Sequence, residues 1–428
     1  MSTDNQSTSN ASTGSVLIVG GGVVGLASAY YMAKDGWKVT VVERDDFTDS
    51  CSYGNAGMIV PSHFTPLAAP GIVTQGIKWL FDSRSPFLLK PTPNLSTISW
   101  GLKFMSHANE KHVNRSAPHI LALNNLSRDL YDELATELGN EFGLEHRGIL
   151  MLCKTEKTFE EEVHLAEKAR QLGLKVDVLN RDQMKTVEPD LDIDVFGATH
   201  FLSDGHLYPP ALMALLLKQL KTMGVNLIPH AEVTDLVRSG GKITKVVTTS
   251  GEHTADTVVL TGGAWLGQLG RKAGLTIPMM PGKGYSFMTD AFEGKVKHPA
   301  LLIEARVALT PMGGKVRIGG TMELAPVNHR INRNRLEGIV NAVPQYYAGY
   351  KLPVPEEKTV WHGFRPCSPD GLPYLGQSKS ISNLIVAGGM GMMGLSLGPA
   401  AGKIVSEVAL KAPKKSIDIQ IFDPERFN

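Results

Sequence analysis

The feature that most limits how this chain can fold is a glycine-rich loop between two short apolar segments near its start. Val16–Val19 is a predicted strand, and Gly20, Gly22 and Gly25 follow in the spacing G-x-G-x-x-G. Apolar residues at helical spacing come next, and a second strand is predicted over Lys38–Val42. Glycines in this spacing let the backbone turn tightly and approach a pyrophosphate, which then faces the N-terminus of the helix. The pattern therefore predicts a Rossmann-like dinucleotide site.

Glu43 closes the second predicted strand, at the position from which a carboxylate reaches the ribose hydroxyls of adenosine. The same charge would repel a 2′-phosphate, which argues against NADP. An NAD-linked domain would normally continue into another helix, whereas Asp49–His63 is rich in turn-forming residues. A loop of this kind can lie along the pyrophosphate and reach a flavin ring. The residues therefore favour FAD over NAD.

Composition and charge place the chain among ordinary globular proteins with room for two domains. It has 428 residues, 42% of them hydrophobic, and a formal net charge of +1, so it lacks the basic excess of a nucleic-acid binder. Cys51, Cys153 and Cys367 lie far apart. This spacing predicts neither a disulfide framework nor a structural zinc site and favours a reducing compartment. We therefore expect no nucleic-acid partner and no metal.

The first residues and the hydropathy pattern bear on localisation. Residues 1–14 contain no Lys or Arg and no apolar block, which predicts a disordered tail rather than a signal peptide. The longest aliphatic run, Ala211–Leu217, is far shorter than a membrane span. These features predict a cytoplasmic protein.

Segments spread over nearly the whole chain from Ser15 resemble one family of flavoenzymes. The family is that of the FAD-dependent amine oxidoreductases of the D-amino-acid oxidase class, with the strongest likeness to bacterial D-amino-acid dehydrogenases. Several segments in the right order are more specific than any one of them. Besides the glycine fingerprint, they are SYGNAG (52–57), APGIVTQGIKWLF (69–81), MPGKGYSF (280–287), GGTMEL (319–324) and GFRPCSPDGLPYLG (363–376).

The resemblance implies an α/β fold of two interleaved domains. One is a Rossmann-like FAD-binding domain of the glutathione-reductase type, and the other is an α+β substrate domain built on a mostly antiparallel sheet. Residues 15–65, 200–270 and 358–428 are assigned to the FAD-binding domain, and residues 66–199 and 271–357 to the substrate domain.

Apolar periodicity adds detail to the first part of the substrate domain. It predicts helices over Ser116–Phe142 and Thr158–Leu172 and a strand over Ile149–Cys153. All three are assigned to the substrate domain.

The resemblance also implies where the cofactor binds. We expect FAD to be held without a covalent bond, since Cys367 follows Arg365 too closely to match the linkage cysteine of the sarcosine-oxidase relatives. Val233 would lie near the adenine. The full predicted cofactor-binding set is Gly20, Gly22, Val23, Val24, Gly25, Glu43, Arg44, Ser52, Asn55, Ala56, Gly57, Met58, Val233, Gly262, Gly389, Met390, Gly391, Met392, Met393, Gly394 and Leu395.

A second strand–glycine–helix unit occupies Val386–Lys403. Because the pyrophosphate is assigned to the first loop, Gly389–Leu395 is interpreted as a helix N-terminus directed at the flavin N1/C2 carbonyl region, where negative charge appears on reduction. Related chains carry a histidine where this one has Met390, whose thioether neither donates a hydrogen bond nor titrates. The alternative is a tightly packed core helix in which methionine fills space.

The predicted catalytic residues are Arg365, Tyr285 and Arg306. Arg365 matches the family arginine that binds the substrate carboxylate, a group for which a bidentate guanidinium is the strongest partner. Tyr285 and Lys283 are predicted to border the site. Where relatives carry a second substrate-facing tyrosine, this chain has Ala305 beside Arg306, which predicts either a larger pocket or an arginine that enters it.

Other polar residues in these segments are expected to have structural roles. Asp370 follows Ser-Pro and precedes Gly, a pattern typical of a turn. His63, His206 and His362 are interpreted as structural rather than as bases. Hydride transfer from Cα to flavin N5 requires a neutral amine and alignment more than a strong protein base.

The function predicted on this basis is oxidative deamination of a D-amino acid, including cyclic ones such as hydroxyproline, with electrons passed to a quinone or other carrier. A glycine- or sarcosine-type oxidase that uses O2 and a flavin-binding subunit of a larger complex remain alternatives. Residues 66–89 are proline-rich and apolar. They predict either a lid of the substrate domain or a flap that touches the inner face of the cytoplasmic membrane.

Overall fold

The computed structural model describes residues 13–71, 87–89 and 94–428. Residues 1–12 of the predicted tail and 72–86 of the predicted flap lie outside the described residues. Within the described residues, no helix combines the length and the apolar character needed to cross a bilayer.

Strands outnumber helices in the part of the chain that the structure describes. The strands are β1 (Ser15–Val19), β2 (Lys38–Val42), β3 (Met58–Ile59), β4 (Phe87–Leu89), β5 (Ile149–Cys153), β6 (Val176–Asn180), β7 (Gly197–Phe201), β8 (Gly205–His206), β9 (Asn226–Ile228), β10 (Val233–Ser239), β11 (Lys242–Thr248), β12 (Gly251–His253), β13 (Thr257–Leu260), β14 (Met280–Thr289), β15 (Ala300–Leu302), β16 (Val307–Met312), β17 (Lys315–Leu324), β18 (Trp361–Cys367), β19 (Tyr374–Gln377) and β20 (Leu384–Gly388). The helices are α1 (Val23–Lys34), α2 (Leu95–His107), α3 (Glu110–Leu138), α4 (Glu156–Gln171), α5 (Arg181–Val187), α6 (Pro209–Thr222), α7 (Leu266–Lys272), α8 (Arg333–Tyr346) and α9 (Gly398–Ala409).

A six-stranded sheet carries the glycine fingerprint. Its order is β19-β20-β13-β1-β2-β9, and every pair except β19–β20 is parallel. Helices α1 and α9 pack closely against each other, since a Cβ added at Gly402 would lie 2.5 Å from the carbonyl carbon of Ala27. The predicted strand, glycine loop, helix and strand are all present, which confirms the Rossmann-like domain.

A larger sheet forms the second half of the fold. Among the described residues it has nine strands, in the order β18-β14-β17-β16-β15-β5-β7-β6, with β4 pairing to β17. Its pairs are antiparallel except β15–β5 and β17–β4. This confirms the mostly antiparallel substrate sheet.

The pairing of β18 corrects one predicted boundary. Residues 358–428 were assigned as a whole to the FAD-binding domain, but β18 pairs along its full length with β14 in the nine-stranded sheet. The chain therefore returns to the six-stranded sheet only after Cys367.

Helix α3 packs against both parts of the fold. Most of its buried residues, among them Ile120 and Leu134, join the same core as α1 and α9, whereas Ala117 and Leu121 join a core with β5 of the substrate sheet. The hydroxyl of Tyr131 donates to the carbonyl oxygen of Leu395 at 2.6 Å. Apolar periodicity identified the helix but carried no information on its packing partners, which lie mainly in the Rossmann-like domain and also in the substrate sheet.

The two sheets meet through the segment that follows β2. On the substrate sheet, the Oγ of Ser286 donates to the carbonyl oxygen of Gly54 at 2.8 Å. Nη1 of Arg317 donates to the carbonyl oxygens of Tyr53 and Asn55 at 2.8 and 2.7 Å. These bonds fix the Ser52–Met58 loop between the sheets and leave a cavity beside it.

Candidate cofactor and substrate site

A cavity of about 550 Å³ lies between the two sheets. It extends from the glycine loop after β1 to Arg365 and to the loop after β20. Most of the predicted cofactor-binding residues line it, namely Gly20, Gly22, Val23, Val24, Glu43, Arg44, Ser52, Asn55, Ala56, Met58, Val233, Gly262, Met390, Gly391, Met392, Met393, Gly394 and Leu395. Gly25 in the first turn of α1, and Gly57 and Gly389 in their loops, are not among the lining residues of this cavity.

The first loop presents backbone rather than side chains to the cavity. Gly20 has a φ of +113°, and a Cβ at Gly25 would lie 1.9 Å from the carbonyl oxygen of Gly20, so both positions require glycine. The N-cap of α1 is Gly22, which provides no side-chain cap. The backbone N–H of Val23 donates to the Oγ of Ser52 at 3.0 Å. The first turn of α1 thus faces the cavity with the partial positive charge of a helix N-terminus.

Glu43 lies at the end of β2 with its carboxylate directed at the glycine loop. Its Oε2 accepts from the N–H of Gly21 at 2.5 Å, and its Oε1 accepts from the N–H of Asp45 at 3.1 Å. The neighbouring Arg44 stacks its guanidinium 4.3 Å from the ring centroid of Trp265. A carboxylate and a stacked cation therefore stand at this end of the cavity.

The loop after β20 differs from the predicted helix N-terminus. A 3-10 turn spans Gly391–Met393, and α9 begins only at Gly398. Gly389 and Gly391 have φ values of +70° and +53°, which an α-helix does not accommodate, so the helix starts later than predicted. The loop backbone, rather than the first turn of a helix, therefore borders the cavity here.

Met390 within this loop is buried and forms a bridge to Cys367 of β18. Its backbone thus joins the loop to the substrate sheet, while its side chain packs in the same core as α1 and α9, which supports the core-packing alternative for this one residue. Burial raises the pKa of the Cys367 thiol to about 12, so the sulfur stays protonated.

Arg365 lies on β18, on the face of the substrate sheet that borders the cavity. Its Nη1 donates to the carbonyl oxygen of Thr321 at 2.8 Å. A Cβ at Gly284 on the paired strand would lie 2.2 Å from Nη1, so the guanidinium occupies space that any side chain at position 284 would take. Burial lowers the pKa of Arg365, yet an arginine remains a cation at physiological pH. No carboxylate among the described residues pairs with it.

Tyr285 is among the residues that line the cavity, but its ring is directed to the opposite face of the sheet, and its catalytic role stays a prediction. Side chains alternate along β14, so Tyr285 packs into the core against α8 while Gly284 and Ser286 face the cavity. The Tyr285 hydroxyl donates to Oε1 of Glu323 at 2.7 Å and accepts from the N–H of Asn332 at 3.1 Å. Lys283, on the same far face, lies 3.4 Å from Glu323 in a buried ion pair.

Arg306 occupies the turn between β15 and β16 with a φ of +54°. Its exposed side chain borders the cavity and also an adjoining open recess of about 1020 Å³. Ala305 instead packs against the core on the α8 side and does not line the cavity. The arginine, rather than the alanine, therefore faces the space next to Arg365.

Sequence reasoning missed several residues of the cavity. Trp361 and Thr321 line it, and so does His63, for which only a structural role was predicted. No motif distinguished these residues, because strand alternation and the approach of distant segments place them there. Asp370 has the structural role expected of it, since its carboxylate accepts from Arg426 at 2.7 and 2.9 Å.

The residues present fit an FAD molecule. A Cβ at Gly391 or Gly394 would meet no atom within 4 Å, and one at Gly22 would meet only the Oγ of Ser52 at 3.6 Å. All three glycines border the cavity, so they leave open the space that a bound molecule would fill. A helix N-terminus and a carboxylate lie at one end, and at the other lies the guanidinium of Arg365, which has no carboxylate partner within the described part of the chain. A dinucleotide and an anionic substrate would require such an arrangement.

Comparison with known proteins supports the same assignment. Residues 15–408 match the family described as FAD dependent oxidoreductase. D-amino acid dehydrogenase from Helicobacter pylori strain J99 is 31% identical over 409 residues, which cover 95% of this chain and 98% of the relative. D-amino acid dehydrogenase from Vibrio atlanticus is 29% identical, with 95% and 99% covered.

Solved structures show the same fold. Glycine oxidase from Geobacillus kaustophilus superposes with a TM-score of 0.77 at 24% identity, covering 97% of this chain and 99% of that one. L-proline dehydrogenase from P. horikoshii gives a TM-score of 0.73 at 20% identity, with 97% and 98% covered. The family match, the full-length relatives and the cavity together establish that this chain belongs to the FAD-dependent oxidoreductase family and that FAD is its cofactor.

Proposed function

We propose that the protein oxidises the Cα–N bond of a D-amino acid, including cyclic ones such as hydroxyproline, and passes the electrons to a quinone or another carrier. The observation that carries this proposal is the guanidinium of Arg365, which borders the cavity without a carboxylate partner among the described residues. A free amino acid brings the carboxylate that such a group binds most strongly. The similarity to relatives named D-amino acid dehydrogenase supports the D-isomer as the substrate in this proposal.

In this proposal the chain's own residues bind and orient, and bound FAD supplies the two-electron acceptor. The first turn of α1 would hold the diphosphate, Glu43 the ribose and Val233 the adenine side. The loop at Gly389–Leu395 would face the flavin ring with its backbone. FAD would be held without a covalent bond, because the Cys367 thiol is protonated and donates weakly to the carbonyl oxygen of Arg365 at 3.5 Å.

Substrate orientation would rest on Arg365 and the sheet around it. The Thr321 carbonyl accepts from one Nη1–H of the guanidinium. The remaining N–H groups would bind the substrate carboxylate. Arg306 would stand at the opening toward the larger recess, where it meets the substrate side chain. The sheet and the loop after β20 would exclude bulk water from the bond that is oxidised.

Peroxide formation separates the proposal from its main alternative. A panel of D- and L-amino acids is assayed with a dye acceptor, beside a peroxide assay in air. We expect D-amino acids to reduce the dye faster than oxygen is consumed. Stoichiometric peroxide from glycine or sarcosine would instead establish an oxidase, in line with the fold neighbour named glycine oxidase.

Mixing the isolated, FAD-loaded chain with substrate in the absence of oxygen tests the other alternative, a flavin-binding subunit of a larger complex. Substrate should bleach the flavin of the isolated chain, whereas a chain that is only a flavin-binding subunit would keep its oxidised spectrum.

Peripheral membrane contact through residues 66–89 stays a prediction from the sequence, because residues 72–86 lie outside the described part of the chain.

A further inference from the structure

A series of hydrogen bonds leads from the cavity into the protein interior through three side chains not yet given a role in the reaction. His63 borders the cavity, and its Nδ1 lies 3.0 Å from the Oγ of Ser62. The Ser62 hydroxyl donates to Oδ2 of Asp204 at 2.5 Å. Asp204 is fully buried. The three groups thus join the cavity to a buried carboxylate.

The short ladder between β3 and β8 brings these residues together. Its register pairs Met58 with His206 and Ile59 with Gly205. Because the two strands are antiparallel, the residues after β3 and those before β8 lie at the same end of the ladder, which brings Ser62 close to Asp204. The N–H of Ser62 also donates to Oδ1 of Asp204 at 3.0 Å, which leaves Oδ2 to the hydroxyl.

Hydrogen-bond roles then fix the tautomer of the histidine. An ionised Asp204 only accepts, so the Ser62 hydroxyl donates to it and its Oγ accepts from the Nδ1–H of His63. Nε2 of His63 therefore carries a lone pair. Within the described ranges no protein group is hydrogen-bonded to Nε2, so it is available to a proton donor in the cavity.

We propose that His63, Ser62 and Asp204 form a proton relay that takes the proton of the substrate ammonium group. The substrate N–H bond breaks as an N–H bond forms at Nε2, Nδ1 gives its proton to the Ser62 Oγ, and the Ser62 hydroxyl proton moves to Oδ2. The imidazole and the hydroxyl end neutral, Asp204 ends as a carboxylic acid, and the substrate becomes the neutral amine that hydride transfer requires. This inference rests on the proposed function.

The electrostatic setting agrees with Asp204 as the final acceptor. Burial, with the charge of Arg306, lowers the pKa of His63 to about 4, so the imidazole does not retain the proton. Burial raises the pKa of Asp204 to about 7, although the two Ser62 hydrogen bonds and the charge of Arg128 on α3 oppose this. The carboxylate therefore holds a proton more firmly than the imidazole does.

The pH dependence of kcat/KM for the best D-amino acid tests the relay in the FAD-loaded enzyme. Ser62→Ala removes the hydroxyl but keeps the backbone bond to Asp204. We expect it to lower kcat/KM at least about tenfold near pH 7 and to have little effect near pH 10, where the substrate arrives largely as a neutral amine. Ser62→Thr, which keeps the hydroxyl, should stay close to wild type.

A matched control is Ser406→Ala on α9. Ser406 is also buried, and its hydroxyl donates to Asp35 at 2.6 Å away from the cavity. We expect it to leave kcat/KM unchanged at both pH values. If Ser62→Ala does not fold, His63→Gln is used instead, and its kcat/KM near pH 7 is compared with that near pH 10 in the same way.

A loss of equal size at both pH values would overturn the relay and leave Ser62 with a structural role. That result in an enzyme that oxidises D-amino acids refutes the relay alone. A wild-type enzyme that oxidises no amine at all refutes the proposed function, and the relay with it.

Discussion

Gly284→Ala tests whether the position of Arg365, and not only its charge, controls substrate binding. The new Cβ would lie 2.2 Å from Nη1, 2.6 Å from Nη2 and 2.7 Å from Cζ, whereas ordinary contact begins at 3.4 Å. The guanidinium would therefore have to move by about 1 Å. A misplacement of this size in a site that aligns reacting groups costs on the order of a hundredfold, which is about 2.7 kcal/mol.

The same geometry predicts that the fold survives. The atoms that Gly284→Ala displaces belong to the end of a flexible side chain and not to backbone. We therefore expect kcat/KM for D-amino acids to fall about a hundredfold, while the FAD content stays at one per chain and Tm falls only slightly. Gly101→Ala on α2 is the control, because a Cβ there meets nothing within 4 Å and a helix favours alanine.

A second substitution at the same site separates the possible outcomes. Arg365→Leu alone should cost at least about 3 kcal/mol in kcat/KM, and adding Gly284→Ala to it should cost almost nothing more, since both act through one guanidinium. Additive losses would mean that Gly284 has its own role. A Gly284→Ala enzyme with wild-type kcat/KM would refute the placement of Arg365 as the carboxylate-binding group.

Three further predictions concern the cofactor, the second glycine loop and acid stability. The purified protein should be yellow and release FAD, not FMN, on heating; flavin that stays with the precipitate would disprove non-covalent binding. Met390→His should alter the rate or the flavin reduction potential without altering which substrates are accepted, and a changed substrate preference would place Met390 in the substrate pocket. Although burial raises it, the hydrogen bonds and charge of Arg426 bring the pKa of Asp370 below its usual value. The depressed pKa stabilises the fold above about pH 4, and this contribution is lost as the pH falls through the folded-state pKa. Arg426→Gln should therefore lower Tm at pH 7 and flatten its decline in acid, and an unchanged acid profile would contradict this.

Local chemistry accounts for what the sequence predicted well. The bounds of β2 and β5 follow from short apolar runs, and the conformation of the first loop follows from glycines at Gly20 and Gly25 that no other residue can replace. The position of Arg365 beside the cavity followed from the family resemblance and agrees with the register of β14 and β18.

Long-range packing accounts for what the sequence missed. Tyr285 borders the cavity, as predicted, but its ring packs into the core on the other face of the sheet. The face that a side chain occupies depends on the pairing of its strand, which β14 taken alone does not show. The partner of α3 and the contact between Ser62 and Asp204 depend on segments more than a hundred residues apart. Helix α9 begins later in the chain than predicted, because two glycines before it have positive φ, and composition alone did not reveal this backbone conformation.

The six-stranded sheet imposes an order on how the chain folds during synthesis. Strand β1 meets β2 at once, but its other neighbour, β13, begins at Thr257, and β20 follows only at Leu384. The nascent chain therefore leaves the ribosome with an apolar strand edge unpaired until more than half of the protein has been made. Such edges pair readily with other chains, and closing long loops slows folding. We expect productive folding to be largely post-translational, and a chain that ends before β20 to aggregate rather than to form a separate FAD-binding unit.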